Sequence, residues 1–183
     1  MALRLLFIRK LILTSFAISA VCWIGSFTIS FLLLTEKSFE FTSAQHVNLE
    51  IDFDNRYESF SKICSNNIKV QLVNFTGLIS FGLTSFVNLV YNGLITGAII
   101  KGLVVKSNDV NSIWLSMLPH SFELLGTFLS GAIGLSGFKI GKEVIQNDLR
   151  VISSELKGFI LRAMVIALMV TIVAAYVESF LSV

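Results

Sequence analysis

The ionisable residues best suited to chemistry are His120, Glu123 and Glu178, which stand in otherwise apolar stretches of the sequence. His120 and Glu123 are three residues apart, a spacing that puts both side chains on one face of a helix. Lys101 is a fourth charged residue in such a stretch. Charges within membrane-spanning helices are rare and usually face the helix bundle or a water-filled cavity. We therefore predict that these four residues form a polar intramembrane cluster.

Three roles are open to this cluster. The side chains can pair with one another and fix the register of their helices, they can line a path for a proton, an ion or a polar solute, or they can bind a metal or do chemistry. An H-x-x-E motif with one further carboxylate is a weak metal signal, so the sequence predicts no resident metal and no cofactor. No Ser/His/Asp set, phosphate-binding loop or cofactor fingerprint is visible in the sequence, which favours a protein that is not an enzyme.

The composition indicates that these residues belong to a membrane protein. Hydrophobic residues make up 54% of the 183 residues and charged residues only 14%, whereas about a quarter of a typical soluble domain is charged. The net charge of +2 is too small to indicate nucleic-acid binding. Cys22 and Cys64 provide neither a disulfide framework nor metal-binding spacing. The sequence therefore predicts a single-domain, all-α, polytopic transmembrane bundle.

Long apolar stretches place the membrane spans. About 20 apolar residues are needed to cross the hydrocarbon, and residues 70–100 are too long for one straight crossing. Pro119 suits the first turn of a helix. We predict about five spans, near residues 11–34, 70–87, 88–105, 119–140 and 159–181. The alternative is four spans, with one long crossing at 70–100 and a re-entrant segment around a helix break at Pro119.

The charges of the segments between spans indicate orientation. Residues 35–69 carry six acidic and four basic residues, whereas residues 139–158 carry four basic and three acidic residues, and three basic residues precede the first span. Cytoplasmic loops are enriched in Lys and Arg. We therefore expect a multi-pass protein of the cell membrane, with the N-terminus and residues 139–158 in the cytoplasm and residues 35–69 forming a small extracytoplasmic loop region.

Two segments outside the spans show periodic patterns. Residues 47–54 alternate between apolar and polar, which is typical either of a β-strand or of an extended linker lying on the bundle. Residues 142–158 place apolar residues at helical spacing among basic ones, which indicates a cytoplasmic amphipathic helix. This helix is either a docking site for a partner, such as an ATPase, or a simple connector.

Small residues in the spans are typical of close helix packing, because they allow backbones to approach in lipid. Gly93 and Gly97 form a G-x-x-x-G motif, and Asn88 and Asn92 are suited to hydrogen bonds between helices. The predicted helix-packing positions are Gly93, Gly97, Gly126, Gly131, Gly134, Asn88 and Asn92. We expect these faces to mediate packing within the chain or self-association.

The order of these motifs resembles the stage II sporulation protein M family. The resemblance lies in NNIKVQLVNFTGLISFG, FVNLVYNGLITGAI, LPHSFELLGTFLSGAIGLSGFKIG and AAYVESFL, and it covers roughly residues 65 to 181. The positions that match the family pattern are Asn92, Gly93, Gly97, Pro119, His120, Glu123, Gly131, Gly134 and Glu178. Ser121 departs from this pattern, because the family usually reads P-H-G at this point.

The resemblance implies a non-enzymatic integral membrane subunit of a multiprotein membrane assembly. Sporulation members of the family hold cell-wall hydrolases, and relatives occur beside ABC transporter components and in circular-bacteriocin production and immunity. The alternative is therefore a transport component, either a permease-like partner of an ABC ATPase or a channel, for example in peptide or bacteriocin export. The expected partners are the lipid bilayer and other membrane proteins, including a second copy of the chain or an ATPase.

Overall fold

A computed structural model describes residues 2–33, 56–106, 110–147 and 154–181, and all of the regular structure in these ranges is helical. The helices are α1 (Ala2–Leu33), α2 (Arg56–Phe75), α3 (Leu83–Lys106), α4 (Val110–Asn147) and α5 (Ser154–Leu181). A short 3-10 helix, Thr76–Leu78, follows α2. Within the described ranges four helices carry stretches long and apolar enough to cross a membrane, namely Lys10–Leu33, Leu83–Val105, His120–Gln146 and Leu156–Phe180. The predicted polytopic helical bundle is confirmed.

Helix α4 is the central helix, because it contacts each of the other four. Its neighbour α1 runs antiparallel to it. Ser19 of α1 lies against Gly131 of α4, and one turn further along α1 the ring of Trp23 lies 5.9 Å from that of Phe128. These contacts put aromatic and small residues at the interface between α1 and α4.

Helices α1 and α3 run in the same direction. Ser26 lies against Gly93, and four residues further along both helices Ser30 lies against Gly97. The bundle therefore has two distinct ends. The turn end holds residues 76–82, and the His120 end holds the start of α2 and the end of α5. The N-terminal part of α1 lies at the turn end, opposite the C-terminus of α5.

Helix α2 lies alongside the candidate span of α4, although it is too polar to be one of the four candidate spans itself. The Asn67 amide donates to Glu123, and the Asn74 amide donates to Ser130 Oγ at 2.9 Å. Residues 67–74 of α2 are thus level with residues 123–130 of α4. Since residues 123–130 belong to the candidate span His120–Gln146, the second half of α2 lies at membrane depth.

The break within residues 70–105 is not where the sequence analysis placed it. Residues 70–87 are not one helix, and residues 88–105 belong to the longer α3. The chain turns at residues 76–82, where φ is +54° at Phe81 and +84° at Gly82. The left-handed region is readily open only to glycine, so Gly82 is the residue that lets the chain reverse. The Gly82 amide closes the turn by donating to the Gly77 carbonyl at 2.7 Å.

Pro119 does not break a helix. Helix α4 runs without interruption from Val110 to Asn147, so Pro119 lies in its third turn and neither a helix start nor a re-entrant segment is present there. Proline removes one intrahelical hydrogen bond. Helix α4 nevertheless continues through Pro119 to His120 and Glu123.

Two predicted segments fall partly or wholly outside the described residues. The alternating segment at residues 47–54 lies outside them. Of the predicted amphipathic helix at residues 142–158, residues 142–147 continue α4 and residues 154–158 begin α5, and the residues between lie outside the described ranges.

Candidate functional site

The structure brings His120, Glu123 and Glu178 together at the His120 end of the bundle. We call these three residues the His–Glu cluster. His120 Nδ1 is 3.3 Å from Glu178 Oε1 and 3.5 Å from Glu123 Oε2. His120 and Glu123 project from one face of α4, and Glu178 projects from the last turn of the antiparallel α5. The proximity predicted from the sequence is therefore present in the structure.

The cluster is buried on its carboxylate side and open on its histidine side. The side chain of Glu178 is 5% exposed, that of Glu123 is 15% exposed and that of His120 is 51% exposed. A third helix contributes, because the Asn67 amide of α2 donates to Glu123 Oε1. The cluster thus joins α2, α4 and α5 through polar contacts at one end of the bundle.

Lys101 does not belong to this cluster. Its ammonium group donates to the carbonyl of Leu32 at 3.2 Å, which ties α3 to the end of α1. Within the described segments, no ion pair joins Lys101 to Glu123 or Glu178. Lys101 lies at the same end of the bundle as the cluster but contacts a different partner, because the loop charges do not fix its position around the bundle.

A network of polar side chains continues from the cluster into the bundle. The Gln71 amide donates to Thr171 Oγ1 of α5 and, at 3.2 Å, to the Ala167 carbonyl. Asn74 accepts a hydrogen bond at 2.8 Å from Asn88 of α3. We call the set Asn67, Gln71, Asn74, Asn88, Ser130 and Thr171 the polar network. It connects α2 with each of its three neighbouring helices.

The sequence analysis missed Asn67 and Gln71 as members of this network. The signal was present, because residues 67, 71 and 74 are spaced three and four apart and so share one helical face. Asn88 makes the predicted contact between helices. Asn92 does not, since its amide donates to the Asn88 carbonyl at 2.7 Å and to the Asn88 side chain within α3.

These observations can be compared with known proteins. A family model described as "Stage II sporulation protein M" matches residues 6–183. This chain belongs to the stage II sporulation protein M family. An uncharacterized protein of Methanocaldococcus jannaschii is similar to it, with 28% identity over 129 residues that cover 68% of this chain and 71% of that protein. No solved structure matches this family member.

The five glycines predicted as helix-packing positions in this family member pack against neighbouring helices of the same chain. A Cβ atom at Gly93 or Gly97 would overlap atoms of α1, and one at Gly126 would overlap Thr171. A Cβ at Gly131 would press on Leu89, and one at Gly134 would overlap the Asn74 carbonyl. The small-residue faces are therefore occupied within one chain. Self-association remains a prediction and would have to use a different surface.

The cluster is also the group in this family member that has the composition of a metal site. Among the described residues, His120, Glu123 and Glu178 are the His, Cys, Asp or Glu side chains whose ligand atoms converge, all within 4.8 Å of one another. One nitrogen and two carboxylate oxygens on two helices can either pair with one another or share a cation.

Proposed function

We propose that this protein is a non-enzymatic subunit of a membrane assembly and that α2 contacts the partner. The observation that supports this role is a polar exposed patch on α2 near the His120 end of the candidate spans. Ser65, Asn66 and Lys69 are exposed in this patch, whereas the exposed residues one turn further into the bundle, Leu72 and Val73, are apolar. The three polar residues flank Asn67, which is level with Glu123 in the candidate span of α4.

Lipid is a poor environment for this patch. Transferring a polar group into hydrocarbon without a hydrogen-bond partner costs roughly 2–7 kcal/mol in apolar reference solvents. A lysine in a membrane helix must extend its ammonium group to the interface. The exposed face of α5 at the same depth is apolar and includes Ile172 and Val173. The contrast supports a helix of another membrane protein, carrying hydroxyl, amide or carboxylate groups, as the neighbour of α2.

The arrangement of the cluster and the polar network fits a structural role. Their hydrogen bonds join α2 to α3, α4 and α5, and each such bond contributes about 0.6 kcal/mol in a membrane bundle. Together they fix α2 against the other helices and hold its polar patch outward. In this proposal the cluster positions a docking helix and catalyses no reaction.

Site-specific photo-crosslinking in native membranes tests this proposal. A photoreactive amino acid at position 66 should crosslink to a discrete protein, whereas the same amino acid at position 173, at matching depth on α5, should yield only lipid adducts. Equal protein crosslinking at both positions, or none at position 66, would show that α2 is not the contact helix.

A transport role is the second candidate, and the polar network favours it. Polar side chains continue inward from Glu123 through Gln71 to Asn74, along one face of α2. The partner crosslinked at position 66 distinguishes the two candidates. An ATPase would support a permease-like component, and a cell-wall hydrolase would support a scaffold.

We further propose that the protein lies in the cytoplasmic membrane with its turn end in the cytoplasm. The exposed basic residues Lys10, Lys139 and Lys142 lie at this end, as the enrichment of Lys and Arg in cytoplasmic segments would require. Single cysteines at positions 2 and 183, in a chain with Cys22 and Cys64 replaced by serine, test the orientation. An impermeant thiol reagent applied to intact cells should label position 183 and leave position 2 unlabelled; protection of position 183 would contradict the proposal.

A further inference from the structure

We propose that the His–Glu cluster binds one divalent transition-metal ion, which links α4 to α5. The ligands are Nδ1 of His120, Oε2 of Glu123 and Oε1 of Glu178. This inference is independent of the proposed role as a membrane subunit, because it concerns only the three side chains and their geometry.

Two of the three distances within the cluster match the spacing of ligands around a metal ion, and all three ligand atoms lie within 4.8 Å of one another. Zinc lies about 2.0–2.2 Å from imidazole nitrogen and carboxylate oxygen, and a tetrahedral arrangement therefore puts neighbouring ligand atoms about 3.4 Å apart. His120 Nδ1 lies 3.3 Å from Glu178 Oε1 and 3.5 Å from Glu123 Oε2. We expect side-chain rotation to bring the two carboxylate oxygens onto one ion.

A divalent ion would hold these three side chains together more evenly than one imidazole hydrogen does. Nδ1 of an imidazole carries at most one hydrogen, which it can donate well to only one acceptor. Here it lies between two carboxylates, and both are largely buried. A divalent ion accepts an electron pair from all three side chains at once and balances the two negative charges, which are costly to hold together in a membrane interior.

Asn67 provides the supporting contact that metal sites typically have. Its amide group donates to Glu123 Oε1, which fixes the carboxylate and leaves Oε2 directed at His120. Hydrogen bonds of this kind orient ligands, and their loss typically weakens metal binding by about 10- to 100-fold. The half-exposed side of His120 leaves room for water as a further ligand.

The ligand types indicate the class of ion. Magnesium and calcium prefer all-oxygen sites, whereas a site with an imidazole nitrogen suits zinc and its neighbours in the first transition row. Three protein ligands with one open position resemble a site that retains a bound water rather than a fully closed structural site.

Metal binding by the purified full-length protein tests the proposal. The protein is prepared in detergent without a histidine tag, stripped with a chelator and titrated with Zn²⁺ by calorimetry, followed by elemental analysis after gel filtration. We expect about one Zn²⁺ per chain and a higher Tm that the chelator reverses. Glu178→Gln and His120→Gln should each weaken binding by at least about 100-fold, and Asn67→Ala by about 10-fold.

Glu58→Gln is the matched control, because Glu58 is an exposed carboxylate that pairs with Lys62 at 2.7 Å, one turn away on the same helix. It should leave Zn²⁺ binding unchanged. Well under one tightly bound Zn²⁺ per chain in the wild type, or equal binding by Glu178→Gln, would overturn the proposal. X-ray absorption of the Zn²⁺-loaded wild type provides a readout that needs no variant, and a spectrum without one imidazole and oxygen ligands would overturn it as well.

Discussion

Replacing both Gly93 and Gly97 with leucine should abolish the packing of α3 on α1. A Cβ at Gly93 would overlap Ser26 and the Trp23 carbonyl, and one at Gly97 would overlap the Phe27 carbonyl. Backbone atoms of α1 cannot move aside independently, so the two helices must separate. Separation would also break the hydrogen bond from Ser30 Oγ to the Leu94 carbonyl, which is 2.6 Å long.

The expected loss is large. Overpacking costs about 1–3 kcal/mol per site, and more where backbone must shift, so the double variant should lose at least about 2 kcal/mol of unfolding free energy. The measurement is the Tm in detergent, with the unfolding transition monitored by intrinsic tryptophan fluorescence, to which Trp23 at the interface contributes. Gly25→Leu is the control, because no atom lies within 4 Å of a Cβ at that position. A double variant with the Tm of the control would show that α1 and α3 do not pack through these glycines.

The sequence predicted the features of this bundle that depend on periodic spacing or on the length of apolar stretches. The candidate spans Lys10–Leu33 and Leu156–Phe180 follow from long runs of apolar residues that lipid requires. His120 and Glu123 share a face because any helix with a 3.6-residue repeat puts them there. Their approach to Glu178 follows because α4 and α5 are antiparallel, which puts the start of one span beside the end of the other, and because charged side chains in lipid are costly unless they face the bundle.

The position of the turn between α2 and α3 and the partner of Lys101 could not be predicted from hydropathy or spacing. The turn at residues 76–82 lies in a stretch without charges, so hydropathy gave no boundary, and the break depends on Gly82 adopting a positive φ. Lys101 was predicted to join the polar cluster but reaches the Leu32 carbonyl instead. Its lateral position depends on how α1 and α3 pack, which loop charges do not report.

The contribution of α2 was underestimated for a related reason. Its polar residues lowered its hydropathy, and the segment before residue 70 was assigned to a loop region. In the structure the Asn67 amide donates a hydrogen bond to Glu123, and the Gln71 amide donates one to Thr171. A helix can thus lie at membrane depth without a long apolar stretch, provided that its polar side chains face hydrogen-bonding partners inside the bundle.

The second large effect is expected at the His–Glu cluster in the metal-free protein. His120→Leu leaves Glu123 and Glu178 side by side without a positive neighbour, which is unfavourable for two largely buried carboxylates. Glu178→Leu leaves His120 still paired with Glu123. We therefore expect His120→Leu to cost about 3 kcal/mol of unfolding free energy and Glu178→Leu about 2 kcal/mol. Both values are set below those expected for a fully buried ion pair, because water screens the half-exposed imidazole.

A double-mutant cycle measures how much of this cost arises from the pair itself. The variant with both His120→Leu and Glu178→Leu removes the charges together, so its loss should be smaller than the sum of the single losses by about 1 kcal/mol. Glu178→Gln should cost less than Glu178→Leu, because the amide retains a hydrogen-bonding group beside His120. The measurement is the free energy of unfolding from SDS titration in mixed micelles with a chelator present. Additive losses, or equal losses for Gln and Leu at position 178, would show that His120 and Glu178 do not stabilise the bundle as a pair.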